Sequence, residues 1–286
     1  MKLLCVGDLM AEVVVYAPRE AAFGDEAQAE FHTRPGGQAL NVARTYRRLG
    51  GNSILQAAVG NDGWAVLLRK QLRREGIEVR LQRHPMPTGM VVSLVAGQQR
   101  TMYAQRGANV ALQPGKLNGL KAHDILYLSG YLLQTRRGRT VAKNTLAQAK
   151  KRQLFTVVDT PPAQLLKQIG PQHFLDNTQG IDAFLATEDE AQSLTGKRGV
   201  EHVARCLSQR FPLVVVKQGP KGCWVQQRDA CQHVPTVPLD DVDPTGAGDA
   251  FCGGLLYALG KGFEAVDAAR FAHEVTAQTI GRWGGA

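Results

Sequence analysis

The stretch that says most about the fold is residues 243–256, which read Asp243-Pro244-Thr245-Gly246-Ala247-Gly248-Asp249-Ala250-Phe251-Cys252-Gly253-Gly254-Leu255-Leu256. The small residues from Gly246 to Gly248 predict a tight turn that leads into a helix. The first N–H groups of a helix have no partner within it, and the helix dipole adds partial positive charge there. The turn is therefore predicted to bind an anion, especially one whose charge grows during a reaction.

Asp249 falls in the first turn of this predicted helix. A carboxylate there can accept the proton of a hydroxyl group that attacks a phosphorus atom. It can equally cap the helix, as short acidic residues often do, and the segment alone favours neither role. The turn is not a P-loop, because no Gly-Lys-Ser/Thr closes it, and Phe251 stands where a dinucleotide fingerprint has its third glycine.

A second glycine cluster precedes another predicted helix, with the sequence Pro35-Gly36-Gly37-Gln38-Ala39-Leu40-Asn41. Paired glycines allow the backbone to approach a ligand closely. The amide of Asn41 can both donate hydrogen bonds to hydroxyl groups and accept them. The pattern indicates a hydroxyl-binding turn, although a plain tight turn before a helix explains it as well.

Outside these clusters, buried-strand patterns alternate with amphipathic helical patterns. The strands are predicted at residues 2–6, 53–59, 125–128, 155–158, 184–186 and 213–216, and the helices at 41–49, 64–75, 139–152 and 188–194. This alternation predicts an α/β fold with a parallel sheet and helices on both of its faces.

Two stretches interrupt the alternation and read as short strands joined by turns. They comprise residues 12–16 with 27–33, and 89–95 with 101–105. We expect a small β-layer that projects from the main sheet. Such a layer can cover a site and exclude water from it, or it can be a simple surface hairpin.

The composition is that of an ordinary globular protein: 286 residues, 44% hydrophobic and 21% charged. Lys and Arg total 34 against 25 Asp and Glu, a net charge of +9 that favours an anionic partner such as nucleic acid, acidic lipid or a phosphorylated small molecule. The basic residues form only short groups without interleaved aromatics, which favours a solvated surface over a nucleic-acid interface. The sequence predicts neither a membrane helix nor a signal peptide, and its five scattered cysteines suggest buried thiols, so a cytoplasmic protein is expected.

The two glycine clusters together resemble the signatures of the ribokinase-like family of small-molecule kinases, the PfkB carbohydrate kinases. Further family segments lie between them in the expected order: Val59-Gly60-Asn61-Asp62-Gly63, Arg106-Gly107-Ala108-Asn109, Glu188-Asp189-Glu190-Ala191 and Lys217-Gln218-Gly219 with Gly222. The resemblance implies one ribokinase-like domain over residues 1–286. Its fold would be three-layer α/β/α, with a central, mostly parallel sheet and a small β-sheet lid whose strands lie near residues 12–33 and 88–106.

The resemblance also implies an activity, the ATP-dependent phosphorylation of a hydroxyl group on a sugar or sugar-like molecule. Asp249 would be the general base, and the N–H groups of Gly246, Ala247 and Gly248 would form the anion hole for the transferred phosphoryl group. Three other functions stay open: a nucleoside kinase of the same fold, a sugar- or nucleotide-responsive binding protein with weak catalysis, and a nucleic-acid binder suggested only by the charge.

The remaining site residues are also carried over from the family. Those for the acceptor are Asp8, Glu12, Gly36, Gly37, Asn41 and Arg106, and those for the nucleotide are Thr187, Lys217, Gly219, Gly222 and His273. The expected cofactors are ATP and Mg²⁺, with Mg²⁺ held by Glu190 through water, and K⁺ activation would use Asp243 and Thr245. The lid often also joins two copies in this family, so a homodimer through the lid is a further expectation.

Three residues depart from the family pattern. Glu12 stands where Asp is usual, Thr187 replaces the Asn of an Asn-x-x-Glu motif, and His273 occupies a position where Asn is common. Glu12 changes the reach of the acceptor site, and Thr187 changes how phosphate and metal would be held.

Overall fold

The computed structural model describes residues 1–17, 24, 26–96, 99–236 and 246–279 of the chain. The strands are β1 Lys2–Val6, β2 Met10–Ala17, β3 Glu30–Gly36, β4 Asn52–Val59, β5 Glu78–Arg83, β6 Gly89–Ala96, β7 Gln99–Gln105, β8 Ile125–Ser129, β9 Phe155–Asp159, β10 Ala183–Thr187, β11 Leu213–Lys217, β12 Cys223–Gln227 and β13 Ala230–Val234. The α-helices are α1 Gln38–Arg48, α2 Gly63–Arg74, α3 Arg136–Lys151, α4 Ala163–Ile169, α5 Pro171–Asn177, α6 Glu188–Thr195, α7 Val200–Ser208, α8 Ala247–Gly260 and α9 Ala265–Thr279.

The main sheet has nine strands in the order β13-β12-β11-β10-β9-β8-β1-β4-β5. The seven strands from β11 to β5 run parallel, and β12 and β13 continue the sheet antiparallel. The central strands are apolar on both faces because helices cover both. On β1, for example, Leu3 and Cys5 belong to one core and Leu4 and Val6 to the other. The predicted three-layer α/β/α architecture is confirmed.

The second sheet has four strands in the order β3-β2-β6-β7, and we call it the lid sheet. The β2–β3 and β6–β7 pairs are antiparallel, and β2 and β6 run parallel in the middle. All four strands were predicted as the small β-layer. Strands β2, β6 and β7 extend one or two residues beyond the predicted ends, whereas β3 begins and ends three residues later than predicted. The lid sheet connects directly to the main sheet through the short segment between β1 and β2.

The strands that the sequence patterns did not reveal are β5, β12 and β13. Strand β5 reads Glu78-Val79-Arg80-Leu81-Gln82-Arg83 and forms an edge of the main sheet, so it lacks the continuous apolar run of a buried strand. Strands β12 and β13 form the opposite edge as an antiparallel pair, where short polar-rich strands are tolerated.

Helix α8 packs unusually close to its neighbours because of two adjacent glycines. A Cβ atom on Gly253 would lie 2.6 Å from the Cβ of Thr45 on α1, and one on Gly254 would lie 3.1 Å from the Cα of Ala272 on α9. Since Asp249 and Asn41 also meet one turn earlier, α1 and α8 begin side by side. The N-termini of both helices therefore lie at the same end of the molecule.

Two simpler expectations can be compared with the fold. All five cysteines are free thiols; Cys5, Cys223 and Cys252 are buried, whereas Cys206 and Cys231 are half-buried. Within the described ranges, no helix has both the length and the apolar character needed to span a bilayer.

Candidate active site

The start of α8 has the geometry of an anion-binding turn. Gly246 precedes the helix with a φ of 76°, in the left-handed region that favours glycine. The first helical hydrogen bond runs from the N–H of Ala250 to the carbonyl of Gly246 at 2.8 Å. The preceding N–H groups thus lack partners within the helix, and no described side chain caps α8.

The carboxylate of Asp249 does not cap its own helix but bonds to α1. Its Oδ2 accepts a hydrogen bond of 2.8 Å from Nδ2 of Asn41. The pKa of Asp249 is raised to about 7, mainly by burial; the hydrogen bond from Asn41 opposes this rise, and the negative charge of Asp159 contributes to it. A half-buried carboxylate with this pKa is well matched to accept a proton near neutral pH.

A chain of polar side chains crosses the carboxyl ends of the parallel strands. The hydroxyl oxygen of Ser129 lies 2.7 Å from Oε1 of Gln38 and 3.2 Å from Oδ1 of Asp8. Nε2 of Gln38 donates to Oδ2 of Asp159 at 3.4 Å, and Nζ of Lys217 donates to Oδ1 of the same carboxylate at 2.8 Å. The chain thus links Asp8, predicted for the acceptor, with Lys217, predicted for the nucleotide.

Three members of this chain, Gln38, Ser129 and Asp159, were missed as site residues. A signal was available for two of them. Ser129 and Asp159 are the last residues of β8 and β9, and ligands of open α/β sheets bind at the carboxyl ends of strands. Gln38 carried no comparable signal, because its contacts depend on how α1 sits on the sheet.

The predicted acceptor side contains two ion pairs. Nη1 of Arg106 lies 3.1 Å from Oδ2 of Asp8, and its guanidinium stacks 4.0 Å from the ring centre of Tyr131. On the lid sheet, Nε of Arg34 lies 2.9 Å from Oε2 of Glu12. Arg34 and Tyr131 were not predicted; each comes from an element far along the chain from its partner.

The two glycines before α1 are needed for close approach. A Cβ on Gly37 would lie 2.5 Å from the carbonyl oxygen of Asp8, and its φ of 117° also excludes ordinary side chains. A Cβ on Gly36 would lie 2.9 Å from Oε2 of Glu12. These two glycines therefore bring the backbone at the start of α1 against both residues predicted as acceptor carboxylates, Asp8 and Glu12.

Thr187 and Glu190 form a capping box at the start of α6. Oε2 of Glu190 accepts hydrogen bonds from the N–H of Thr187 at 2.7 Å and from the hydroxyl of Thr160 at 2.5 Å. Burial raises the pKa of Glu190, whereas the ammonium of Lys217 lowers it. The acidic segment is thus a helix start, a role that the sequence allowed beside metal binding.

The donor set for Mg²⁺ is sparse in the described ranges, which hold no group of three His, Cys, Asp or Glu side chains suited to a metal ion. A single carboxylate such as Glu190 still fits Mg²⁺, since that ion keeps several waters and takes phosphate oxygens as ligands. The two residues predicted for a monovalent cation, Asp243 and Thr245, lie outside the described residues.

The other predicted nucleotide residues lie around β11, β12 and α9. Gly219 and Gly222 both have positive φ values, 56° and 91°, and a Cβ on Gly222 would lie 2.2 Å from the carbonyl oxygen of Val234. The ring of His273 packs 5.0 Å from that of Phe251, and burial lowers the pKa of its imidazole. Its Nε2 is buried and has no hydrogen-bond partner in the described part of the chain.

Comparison with known proteins agrees with this geometry. The model of the pfkB family carbohydrate kinases matches residues 1–286. A fructokinase of Klebsiella pneumoniae is 31% identical over 236 residues, which cover 79% of this chain and 76% of that protein.

Solved structures share the fold over nearly the whole chain. Fructokinase from Vibrio cholerae O395, in a form with fructose, ADP and calcium ion bound, has a TM-score of 0.84 at 25% identity and covers 99% of this chain and 94% of its own. Adenosine kinase from Sinorhizobium meliloti has a TM-score of 0.88 with coverage of 99% and 95%; at 19% identity it supports the fold alone.

The resemblance noted in the two signature segments is therefore confirmed over the full length of the sequence. The chain belongs to the pfkB family of carbohydrate kinases and is, as such, a phosphotransferase that acts on a sugar or a nucleoside.

Proposed function

We propose that the protein transfers the γ-phosphoryl group of ATP to a hydroxyl group of a neutral sugar, with Asp249 as the general base. The observation that carries this proposal is the Asp249 carboxylate, bound to Asn41 beside the N–H groups at the start of α8 that have no partner within the helix. The fructokinase relative supports a sugar as the acceptor.

In this reaction the acceptor hydroxyl gives its proton to Asp249 while its oxygen forms a bond to the γ-phosphorus. The bond from that phosphorus to the bridging oxygen breaks, and ADP leaves with the electron pair. The N–H groups of Ala247 and Gly248 would hold the charge on the group in transfer. Bound Mg²⁺, for which Glu190 is the candidate holder through water, would neutralise phosphate charge.

A neutral acceptor is favoured by the charge balance of the acceptor side. Arg34 and Arg106, its two described cations, are each already paired with a carboxylate, Glu12 and Asp8 respectively. Each pair carries no net charge, so it offers little attraction to an acidic sugar or a sugar phosphate. Neutral hydroxyl groups can instead bond to the paired side chains at little cost.

The nucleotide is proposed to lie along the turn that contains Gly219 and Gly222, near Thr187 and Lys217, with its base toward His273. The buried Nε2 of His273 supports this placement, since it has no hydrogen-bond partner among the described residues and suits a ligand that supplies one. Three further expectations stay predictions: a K⁺ ion held by Asp243 and Thr245, a cytoplasmic location, and a single domain over residues 1–286.

A homodimer through the lid sheet is part of the proposal. Phe31, Leu94 and Tyr103 are 68%, 41% and 64% exposed. The strand pairing places these three side chains on one face of the lid sheet. Val15 is paired with both Phe31 and Leu94, and paired residues share a face. Tyr103 is paired with Val92, which lies two residues before Leu94 and therefore on the same face. The opposite face carries Glu12 and Arg34. An apolar face turned away from the site is suited to a second copy of the chain.

The test is a phosphorylation assay with ATP and a panel of neutral sugars, sugar acids and nucleosides, run on the wild type and on Asp249→Asn. We expect a neutral sugar to be the best acceptor and the variant to lose about 10²–10⁴-fold in kcat. ADP binding and the circular dichroism spectrum should stay unchanged.

Three results would contradict the proposal. A variant that retained most activity would exclude Asp249 as the base, and preference for a nucleoside or a sugar acid would exclude the neutral-sugar assignment. Ligand-induced thermal stabilisation without turnover would instead indicate a binding protein.

A further inference from the structure

Lys217 occupies an unusual position at the end of β11. Its side chain reaches past the end of β10 to Asp159 on β9, where Nζ lies 2.8 Å from Oδ1. The two side chains are only 11% and 2% exposed. A buried pair of this kind is held firmly, because removing either partner leaves an uncompensated charge. The ammonium group is therefore a fixed positive charge at the carboxyl edge of the sheet.

This charge faces the anion-binding turn. Nζ of Lys217 lies 3.7 Å from the point that a Cβ on Gly248 would occupy, and 3.6 Å from Sγ of Cys252 one turn further along α8. Its field lowers the pKa values of both Asp249 and Glu190. Since residue 248 is a glycine, no side chain separates the ammonium from the first turn of the helix.

The ammonium of Lys217 also has more N–H donors than acceptors among the described residues around it. A lysine ammonium carries three N–H donors, and its contacts are the carboxylate of Asp159 and the weakly accepting sulfur of Cys252. Within the described ranges no third acceptor lies in hydrogen-bond distance. A phosphoryl oxygen beside Gly248 would supply one in a charge-assisted bond.

The other charged groups of the site lie elsewhere. Arg34 and Arg106 belong to the ion pairs of the acceptor side, and Glu190 is an anion bound in the capping box of α6. Lys217 is the cation that the structure places against Gly248, where the terminal phosphate would lie.

We infer that Lys217 is a catalytic residue whose ammonium bonds an oxygen of the γ-phosphoryl group while that group passes from ATP to the acceptor. The inference rests on the proposed function. The bond that forms is from the acceptor oxygen to phosphorus, the bond that breaks is from phosphorus to the bridging oxygen, and the acceptor proton goes to Asp249. Lys217 keeps its own proton throughout, and Asp159 holds it in position.

The experiment compares the wild type with Lys217→Met, using Lys150→Met, an exposed and remote lysine on α3, as the charge-matched control. We expect kcat of Lys217→Met to fall by about 10²–10³-fold, the usual effect of losing one donor to a developing anion. Affinity for a nonhydrolysable ATP analogue should fall about tenfold or more, and affinity for ADP should change by less than about twofold. Lys150→Met should match the wild type.

Because Lys217→Met leaves Asp159 unpaired, the double variant Asp159→Asn/Lys217→Met repeats the binding measurements without a buried lone charge. Equal loss of ADP and analogue affinity in both variants would assign Lys217 a structural role and overturn the inference, as would a kcat within about threefold of the wild type. If the wild type phosphorylates none of the acceptors, the proposed function fails, and the ratio of the two affinities alone then decides on the phosphoryl contact.

Discussion

At the scale of single residues, Asp249 combines two features that matter for a proton acceptor. Its carboxylate is held by Asn41 at 2.8 Å, and burial raises its pKa to about 7. Activity that depends on the ionised form should therefore rise with pH. We expect kcat/KM of the free enzyme to increase tenfold per pH unit below about 7 and to level off above it. A pH–rate profile that is flat between pH 5 and 8 would contradict this role.

The same pKa makes a prediction for stability. The pKa is higher in the folded than in the unfolded protein, so this group stabilises the fold at low pH, and the contribution is lost as pH rises from about 4 to about 7. The side chain of the Asp249→Asn variant does not ionise, so the variant does not lose this contribution as pH rises. At pH 8 the variant should therefore melt above the wild type, and each 1 kcal/mol corresponds to about 2–4 °C in Tm. Calorimetry should show the difference shrinking toward pH 4; a difference independent of pH would argue against an ionised, desolvated carboxylate.

At this scale the sequence singles out Asp249 by its place after the glycine turn, and the resemblance to the family assigns it the role of base, which stays a prediction. Its partner in the fold could not be predicted the same way. Asn41 is 208 residues away, and it was assigned to hydroxyl groups rather than to the carboxylate. Lys217 and Asp159 are 58 residues apart, and nothing local in either segment indicates that they form a pair.

At the scale of an element, the capping box at the start of α6 explains why Thr187 is tolerated where the family has Asn. Its hydroxyl oxygen accepts from the N–H of Glu190, as an Asn side chain would. Thr187→Ala should lower the free energy of unfolding by about 1 kcal/mol, whereas Thr187→Asn should leave it within about 0.5 kcal/mol. Urea unfolding of the two variants measures this. Equal destabilisation by both would mean that the cap is not what Thr187 contributes.

Helices and strands were predictable where the local sequence carries one strong hydrophobic or capping pattern. The helix at 188–194 and the strand at 2–6 have such patterns, and the structure places α6 at Glu188–Thr195 and β1 at Lys2–Val6. The edge strand β5 was missed because it has only two apolar residues, Val79 and Leu81, which alternate with polar ones, a weaker pattern than the continuous apolar runs of the buried strands.

At the scale of the whole molecule, the apolar face of the lid sheet predicts an oligomer. We expect the wild type to elute with twice its chain mass of 31.0 kDa, and Leu94→Glu to elute as a monomer, since a charge buried at a contact is costly. Met102→Glu is the matched control: this residue is 58% exposed but lies on the opposite face of the same sheet. Light scattering after size-exclusion chromatography distinguishes the two states. A monomeric wild type, or a dimer that survives Leu94→Glu, would exclude this face as the contact.

The overall architecture was the most predictable feature, because the layers and the mostly parallel sheet follow from patterns repeated along the chain and from two separated signatures. The contacts between the layers were not predictable, because they join segments that are far apart in the chain. The touching of α1 and α8 at Thr45 and Gly253 is the main example.

That contact has a consequence for how the enzyme can vary. Asp249, the proposed proton acceptor, and Asn41, whose amide bonds to it, are aligned by a contact one helical turn further along, where the backbone of Gly253 meets the side chain of Thr45. A single added methyl group at residue 253 would act as a wedge between the two helices and separate Asp249 from Asn41, although residue 253 itself bonds to neither. We therefore expect substitution at this interior position to reduce turnover as well.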